Sequence, residues 1–348
     1  MLNKTHIKLQ HGLVTPSSAT TNQPPAHRFS VAPMLDYTDR HFRVLMRQVS
    51  RHALLYSEMV VAQALHHGDK NKLLNFDPIE KPLVLQLGGD DPELLAAAAQ
   101  WAKSWGYSEV NLNVGCPSAK VQQGRFGACL MADPERVARC IAAMAASSGL
   151  PITVKHRIGI DNHDSYAELL NFVDTVAAAG SQRFIIHARK AWLEGLDPKQ
   201  NRTVPPLRYD LVQQLKQDRP QLLLELNGGL ETLENCQQQL HWADGVMVGR
   251  AAYHHPLQWN QVDRELFNDE KAIPARASTV LRGLMPHTEQ WCRDGGKLWP
   301  IARHLVHLVE GVSGARHWRR ALVEKASKAN AGPEVLESAC LQLEERGL

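Results

Sequence analysis

One cysteine in this sequence stands where its thiol could take part in chemistry. Cys116 lies between Gly115 and Pro117, two residue types typical of loops, so its thiol is expected to be presented rather than packed. Cys129 and Cys140 have small or apolar neighbours and are expected in the core. A thiol is mostly protonated at neutral pH and can act as a general acid. The rival role, a thiolate nucleophile, needs a positively charged neighbour, which the sequence leaves open.

Three polar side chains interrupt runs that are otherwise apolar or β-branched. They are Gln86, Lys155 and His187. An amide or an ammonium in a buried run costs several kcal/mol unless it finds a partner. Lys155 could be a salt-bridged structural lysine, and His187 a satisfied core histidine. A ligand that contacts all three is the functional alternative.

Two glycine motifs follow consecutive runs near residue 240. They are Asn227-Gly228-Gly229 and Gly249-Arg250. Glycine lets the backbone approach an anion closely, and the arginine adds charge. Either motif alone could be only a tight turn, but the two together predict a phosphate-binding cradle.

A phosphate in that cradle, beside the three polar side chains, favours a phosphorylated planar cofactor. Flavin mononucleotide (FMN) is the natural candidate. Lys155 would stabilise the anionic reduced ring, and Gln86 would pair with the amide edge of its pyrimidine end.

The elements that must position these residues can be counted along the chain. Near-continuous apolar runs separated by amphipathic helical stretches indicate a parallel sheet covered on both faces. Eight such units over about 230 residues match an α/β fold, the (β/α)8 TIM barrel, for which roughly 250 residues are typical. An open doubly wound sheet is the alternative, weakened because the chain lacks a Gly-x-Gly fingerprint. The predicted strands are 29–32, 54–59, 83–87, 109–113, 152–157, 183–187, 222–227 and 245–249.

Barrel enzymes keep their chemistry at the carboxyl ends of the strands, where the polar residues above stand. Beyond the last run the sequence turns helical. We therefore predict a flexible leader over 1–27, an FMN-binding catalytic barrel over 28–268 and a small α-helical domain over 269–348.

Composition bounds the remaining possibilities. With 44% hydrophobic and 22% charged residues among 348, the chain is globular, and its formal charge of +3 identifies no partner. Six cysteines without a Cys-x-x-Cys spacing argue against a disulfide framework and indicate a cytoplasmic protein. No apolar run is long enough to span a bilayer, so no membrane contact is expected. The histidine pairs lack a matching carboxylate or cysteine, so no metal site is predicted.

Several segments of the chain resemble a known family. They are APMLDYTDRHFR, LVLQLGG, EVNLNVGCPSAKVQQGRFGACLM, VKHRIG, FIIHARKAWLEGLDPKQNR, NGG and DGVMVGRAAYHHP. Together they look like the tRNA-dihydrouridine synthases of the bacterial A-type, from about Phe29 to Leu322. The resemblance implies an FMN-containing barrel with a C-terminal helical tRNA-binding domain. It also implies reduction of the uracil C5–C6 double bond in the D-loop, at positions 20 and 20a, with NADPH or NADH as reductant.

The same resemblance assigns roles residue by residue. Cys116 resembles the proton donor to C5, with hydride arriving at C6 from the reduced flavin. Asn113 resembles a residue that engages the target nucleotide. The residues implied to contact the flavin are Pro33, Met34, Leu35, Gln86, Lys155 and His187, with Asn227, Gly228, Gly229, Gly249 and Arg250 on its phosphate side.

Local charge supports an RNA partner. Residues 297–328 hold seven basic side chains against two acidic ones, and 188–208 hold five against two. By resemblance, the expected tRNA contacts are Lys199, Arg202, Arg316 and Arg319. Trp318 offers a stacking surface, whereas Arg303 is expected on a solvated charged face. No protein partner is indicated, and we expect a monomer.

Two other hypotheses compete with this one. An FMN barrel acting on a small pyrimidine, as in dihydroorotate dehydrogenases, leaves the basic helical segment unexplained. An RNA-binding protein without catalysis leaves Cys116 and the flavin site without a role.

Overall fold

The computed structural model describes residues 23–348. Most of the predicted leader, residues 1–22, lies outside the described residues. The rest of it leads into a 3-10 turn at Ala26–Arg28.

The strands close into a parallel barrel, so the predicted fold class is confirmed. Each strand pairs in parallel with its neighbours in the order β1-β9-β8-β7-β6-β5-β4-β2, and a bridge between Ser30 and Leu54 closes the ring. The second predicted run is shorter than expected, and β3 is an added short strand beside β4. The strands are β1 Phe29–Val31, β2 Leu55–Tyr56, β3 Val60–Val61, β4 Leu83–Gly88, β5 Glu109–Val114, β6 Ile152–Arg157, β7 Arg183–His187, β8 Leu223–Asn227 and β9 Gly245–Val248.

Helices cover the outside of the barrel, and local sequence signals set their ends. Asp91 accepts hydrogen bonds from two first-turn N–H groups, and Gly106 ends the same helix at φ +83°. The helices are α1 Arg40–Val49, α2 Ala62–His67, α3 Lys70–Leu74, α4 Pro92–Trp105, α5 Ala119–Gln123, α6 Pro134–Ser148, α7 Tyr166–Ala178, α8 Tyr209–Asp218, α9 Leu233–Gln239, α10 Arg250–His254, α11 Val262–Glu265, α12 Ala277–Arg293, α13 Trp299–Ala302, α14 Ala315–Ala326 and α15 Glu334–Glu345.

The barrel interior changes character along its axis. At the amino end Arg183 forms ion pairs with Glu109 and Glu225, and Ser30 donates to Glu225 at 2.8 Å. An apolar cluster that includes Ile185 and other inward-facing side chains also fills the interior. The barrel is therefore a packed core, and its polar residues are free for chemistry only at the carboxyl end.

The C-terminal helices pack against the barrel through α12 and α1. Asp39, the N-cap of α1, accepts from Phe42 N at 3.0 Å and from Arg303 Nη2 at 2.6 Å, and it pairs with His304 at 2.9 Å. Arg303 is thus part of this junction, and the expectation of a merely solvated arginine is wrong. None of the helices within 23–348 is long and apolar enough to cross a membrane.

Candidate active site

The loop that carries Cys116 is held by its neighbours in β5. Asn113 Oδ1 accepts from the N–H groups of Gly115 (3.1 Å) and Cys116 (3.0 Å), and the Cys116 carbonyl accepts from Ala128 N at 2.9 Å. Gly127 has φ +78°, and a Cβ there would lie 2.5 Å from the Cys116 carbonyl oxygen. The thiol is partly exposed, as expected of a presented cysteine.

A chain of buried amides joins this loop to the barrel interior. Asn113 Nδ2 donates to Gln86 Oε1 at 3.0 Å. Gln86 Nε2 donates to Asn111 Oδ1 at 2.8 Å, and Asn111 Nδ2 donates to Thr153 Oγ1 at 2.9 Å. Since each amide donates to the next, the orientation of every amide is fixed, and the predicted flavin residue and the predicted nucleotide residue form one network.

Lys155 lies at the mouth of the barrel on β6. Its Nζ donates to Asn227 Oδ1 at 3.0 Å, and Asn227 Nδ2 donates to the Met247 carbonyl at 2.7 Å. Burial, and then the nearby Arg157, lower the pKa of Lys155 to about 8. The lysine therefore titrates close to the physiological range, and its hydrogen bond is to an amide rather than to a carboxylate.

His187 ends β7 with one ring nitrogen unsatisfied. Its Nδ1 is buried and has no partner among the described residues. Burial, followed by the charges of Arg157 and Lys155, holds the pKa of His187 well below its ordinary value, so the ring is neutral at pH 7. The residue as a whole is partly exposed at the end of β7, so its ring can meet a ligand at the mouth.

The motif after β8, Asn227-Gly228-Gly229, forms a cradle, and side chains in place of its two glycines would fill it. Gly228 and Gly229 have φ of +102° and +72°. A Cβ on Gly229 would lie 2.4 Å from Leu207 Cδ1 and 2.9 Å from Tyr209 Oη. The backbone conformation favours glycine at both positions, and the neighbouring side chains leave little space for a Cβ.

Positive charge gathers on the same side of the mouth. Partial desolvation and then the charge of Arg250 lower the pKa of Arg202, whose side chain still reaches solvent, and partial desolvation with a further contribution from Arg250 lowers that of Arg189. The charge of Arg250 therefore acts on both of the other arginines, which favours an anion near Arg250. Arg189 is absent from the predicted site residues, although its position two residues after β7 is a usable signal.

The segment after β1 forms the neighbouring lip, because β1 pairs directly with β9. Met34 N donates to Thr38 Oγ1 at 2.9 Å, and Met34 Sδ lies 3.6 Å from the position a Cβ on Gly249 would take. Pro33 is partly buried and Leu35 is 64% exposed. This apolar lip therefore faces the glycine and arginine side, as a ring-binding site requires.

Two residues outside the predicted site residues hold the cysteine loop from the other side. Arg157 donates to the Gly115 carbonyl at 2.9 Å, and Gln122 donates to the Pro117 carbonyl at 2.9 Å. Neither contact can be predicted from the sequence, because the acceptor is a main-chain carbonyl, which every residue type carries.

The expected RNA contacts lie in two places. Lys199 and Arg202 are exposed in the segment after β7, and Arg316 and Arg319 are exposed on α14. Trp318, between the last two, is only 7% exposed and donates to the Leu305 carbonyl at 3.0 Å. The expected stacking role of Trp318 is therefore wrong, because its ring packs into the helical core.

The site suits a planar heterocycle that carries a phosphate. The partly exposed His187 ring and Lys155 offer polar partners for the heterocycle, and the glycine cradle with its arginines offers N–H groups and charge for the phosphate. FMN has this chemistry, so the residues present fit it.

Comparison with known proteins gives consistent results. Residues 30–344 match the family model for dihydrouridine synthase. The tRNA-dihydrouridine(20/20a) synthase of Synechocystis sp. is 56% identical over 310 residues, covering 89% of this chain and 92% of that protein. The enzyme of the same name from Shewanella oneidensis is 53% identical over 311 residues, again with 89% and 92% covered.

A solved structure has a similar fold. It is a 2-naphthoyl-CoA reductase in complex with 2-naphthoyl-CoA, with a TM-score of 0.52 and 9% sequence identity. The match covers 70% of this chain and 51% of that one, so this chain spans about half its length. At this identity the similarity concerns the fold alone.

Proposed function

Because this chain belongs to the dihydrouridine synthase family, we propose that it reduces the C5–C6 double bond of uridine in tRNA to give 5,6-dihydrouridine. The D-loop positions 20 and 20a are the proposed targets, after the names of its relatives. The single observation that carries the proposal is that one hydrogen-bond network holds both Cys116 and Gln86 at the mouth that Lys155 and His187 also line. This arrangement supports the proposal that Cys116 is an acid beside a flavin site.

The cofactor site is proposed on the residues described above. FMN, once reduced by NADPH or NADH, supplies the hydride that adds to C6 of the uracil. Lys155 holds a positive charge at the pyrimidine end of the ring, and neutral His187 donates or accepts a hydrogen bond there. Pro33, Met34 and Leu35 pack on the ring, and the backbone of Asn227–Gly229, with Gly249 and Arg250, binds the phosphate.

Cys116 supplies the proton in this mechanism. Hydride addition to C6 leaves the electron pair of the double bond at C5, and the Cys116 S–H donates a proton to C5. Solvent then returns a proton to the Cys116 sulfur, which restores the thiol for the next turnover. Asn113 keeps a second Nδ2 hydrogen beyond its bond to Gln86, and we assign that hydrogen to the target base.

The tRNA is proposed to bind across both basic regions. A uridine must leave its stack to reach the mouth, and phosphate contacts fix the rest of the molecule. Lys199 and Arg202 are exposed in the segment after β7, and Arg316 and Arg319 are exposed on α14, so both pairs are open to phosphate groups. We accordingly propose that the catalytic barrel spans 28–268 and that the tRNA-binding helices span 269–348. If the substrate were a small free pyrimidine, the basic residues of α14 would have no ligand to bind.

One chain is proposed to suffice, because the acid, the flavin-facing residues and the basic helix all belong to it. We also propose the cytoplasm as its location, since the substrate is tRNA. Light scattering of the purified protein during gel filtration measures the first point, and a dimer mass contradicts it.

The test uses Cys116→Ala with Cys292→Ala, a second cysteine outside the barrel, as the matched control. We expect Cys116→Ala to bind FMN and tRNA and to oxidise NADPH, yet to form at least about a hundredfold less dihydrouridine, because general acids contribute roughly 10²–10⁴ to rate. Mass spectrometry of digested tRNA measures the product. Protein that stays colourless when FMN is added, or a Cys116→Ala variant as active as the control, contradicts the proposal.

A further inference from the structure

Arg157 joins the loop that carries Cys116 to a second loop, residues 189–204. Its Nε donates to the Gly115 carbonyl at 2.9 Å, and its Nη1 donates to the carbonyls of Lys190 and Asn201, each at 3.0 Å. The side chain is 4% exposed. One planar guanidinium therefore fixes the distance between the two loops.

Gln122 makes a second link between the same two loops. Its Nε2 donates to the Pro117 carbonyl at 2.9 Å and to the Leu193 carbonyl at 2.8 Å. The carbonyls on either side of Cys116 are thus each held by a side chain that also holds a carbonyl of loop 189–204. A movement of that loop must move the cysteine loop with it.

Loop 189–204 is itself internally braced around Asn201. The buried Asn201 side chain accepts from Trp192 N at 2.7 Å and donates to the carbonyls of Trp192 (2.9 Å) and Leu196 (3.1 Å). Lys199 and Arg202, the proposed tRNA contacts, flank it in the chain. The Asn201 side chain therefore ties the segment that carries Lys199 and Arg202 to Trp192 and Leu196, earlier in the same loop.

The chemistry of Arg157 argues for a positioning role beyond packing. Within residues 23–348 no carboxylate pairs with it, and its partners are main-chain carbonyls on both loops. A buried guanidinium without its hydrogen bonds is strongly unfavourable, so the three bonds are hard to break. Burial lowers the pKa of Arg157 to about 10, so it stays protonated at neutral pH.

We propose that Arg157 and Gln122 are positioning residues that couple the seating of tRNA on loop 189–204 to the placement of the Cys116 thiol. This inference rests on the proposed function, since it takes Cys116 as the proton donor. Neither residue is assigned to flavin or RNA binding; each acts through the main chain of the cysteine loop.

The experiment compares Gln122→Ala with Gln123→Ala, an exposed neighbour on the same short helix. We expect Gln122→Ala to lower kcat for dihydrouridine formation about tenfold while KM for tRNA stays within about twofold, because the RNA contacts are intact but the acid is misplaced. Cys116 in the tRNA-free protein should react several times faster with iodoacetamide, measured by peptide mass spectrometry. Gln123→Ala should match the wild type in all three measurements.

Arg157→Lys is the second variant, because an ammonium keeps the charge but cannot span carbonyls on both loops. It should show the same pattern with a larger loss of kcat. The inference is overturned if Gln122→Ala and Arg157→Lys match Gln123→Ala in both kcat and alkylation rate. It is also overturned if these variants have a higher KM for tRNA and an unchanged kcat. If the wild type forms no dihydrouridine, the proposed function fails, while the alkylation rates still decide whether the two side chains hold the loop.

Discussion

The side-chain amide of Asn113 bridges the cysteine loop and the barrel interior: its Nδ2 donates to Gln86 Oε1 at 3.0 Å while its Oδ1 accepts from Cys116 N at 3.0 Å. Removing this amide should free the loop that carries Cys116 from the barrel interior, and it should also abolish any contact of Asn113 with the nucleotide. We expect Asn113→Ala to lower the rate of dihydrouridine formation about 10- to 100-fold, because a small displacement of the acid costs that much.

Alkylation of Cys116 without tRNA separates the two roles of Asn113. If Asn113 holds the loop, its replacement by alanine should make Cys116 react faster with iodoacetamide. Asn113→Asp keeps the acceptor for both N–H groups, so its alkylation rate should stay near the wild-type value. An alanine variant whose free Cys116 reacts like the wild type would assign Asn113 to the nucleotide alone.

The lowered pKa of Lys155 predicts pH-dependent flavin binding. Below its value of about 8 in the flavin-free protein the side chain is a cation, and above it the charge is lost. Reduced FMN, an anion, should therefore bind more weakly as pH rises from about 7 to about 9.5, by about tenfold for a loss of roughly 1.4 kcal/mol. Anaerobic titration calorimetry measures the affinity.

Lys155→Met is the control for that titration. Without the ammonium, binding of reduced FMN should already be weak at neutral pH and should change little over the same pH range. A variant whose affinity falls with pH as steeply as the wild type shows that another group titrates.

The glycine cradle predicts a selective loss of cofactor. Gly229→Ala strains the backbone, which has φ +72°, and places a Cβ 2.4 Å from Leu207 Cδ1, so either the cradle or the Leu207 side chain must move; we expect at least about a tenfold weaker affinity for FMN. Gly195→Ala is the matched control, because Gly195 also has a positive φ, +79°, but a Cβ there would meet nothing within 4 Å. Quenching of FMN fluorescence measures both, and equal affinities for the two variants would contradict the cradle.

The exposed arginines of α14 predict a salt-dependent RNA affinity. Replacing Arg316 and Arg319 together by alanine should weaken tRNA binding about tenfold at low salt and lower the slope of log K against log salt by about two, because two phosphate contacts are lost. Arg282→Ala is the control, since Arg282 already pairs with Glu337 at 3.2 Å and Glu344 at 2.8 Å. Filter binding of tRNA at several salt concentrations measures the slope. An unchanged slope in the double variant would show that α14 does not contact the tRNA phosphates.

Much of this molecule was determined by local sequence. Alternating apolar runs and capped helices predict the closed parallel barrel, and the polar residues at the strand ends predict its functional face, since strand direction alone decides which end a residue reaches. Residue type and neighbours also predict the presented Cys116 and the glycine cradle. Lys155 can also be recognised as a candidate site residue, because a cation within an apolar run is unfavourable unless a partner or a ligand satisfies it.

The tertiary structure decided which groups touch. Trp318 offers a stacking surface in the sequence but packs inward, and Arg303 is a junction residue because Asp39 comes from the other end of the chain. Arg157 and Gln122 hold main-chain carbonyls, which every residue type carries. A side chain that bonds to backbone from a distant segment leaves no pattern in the sequence, so only the folded chain identifies its partner.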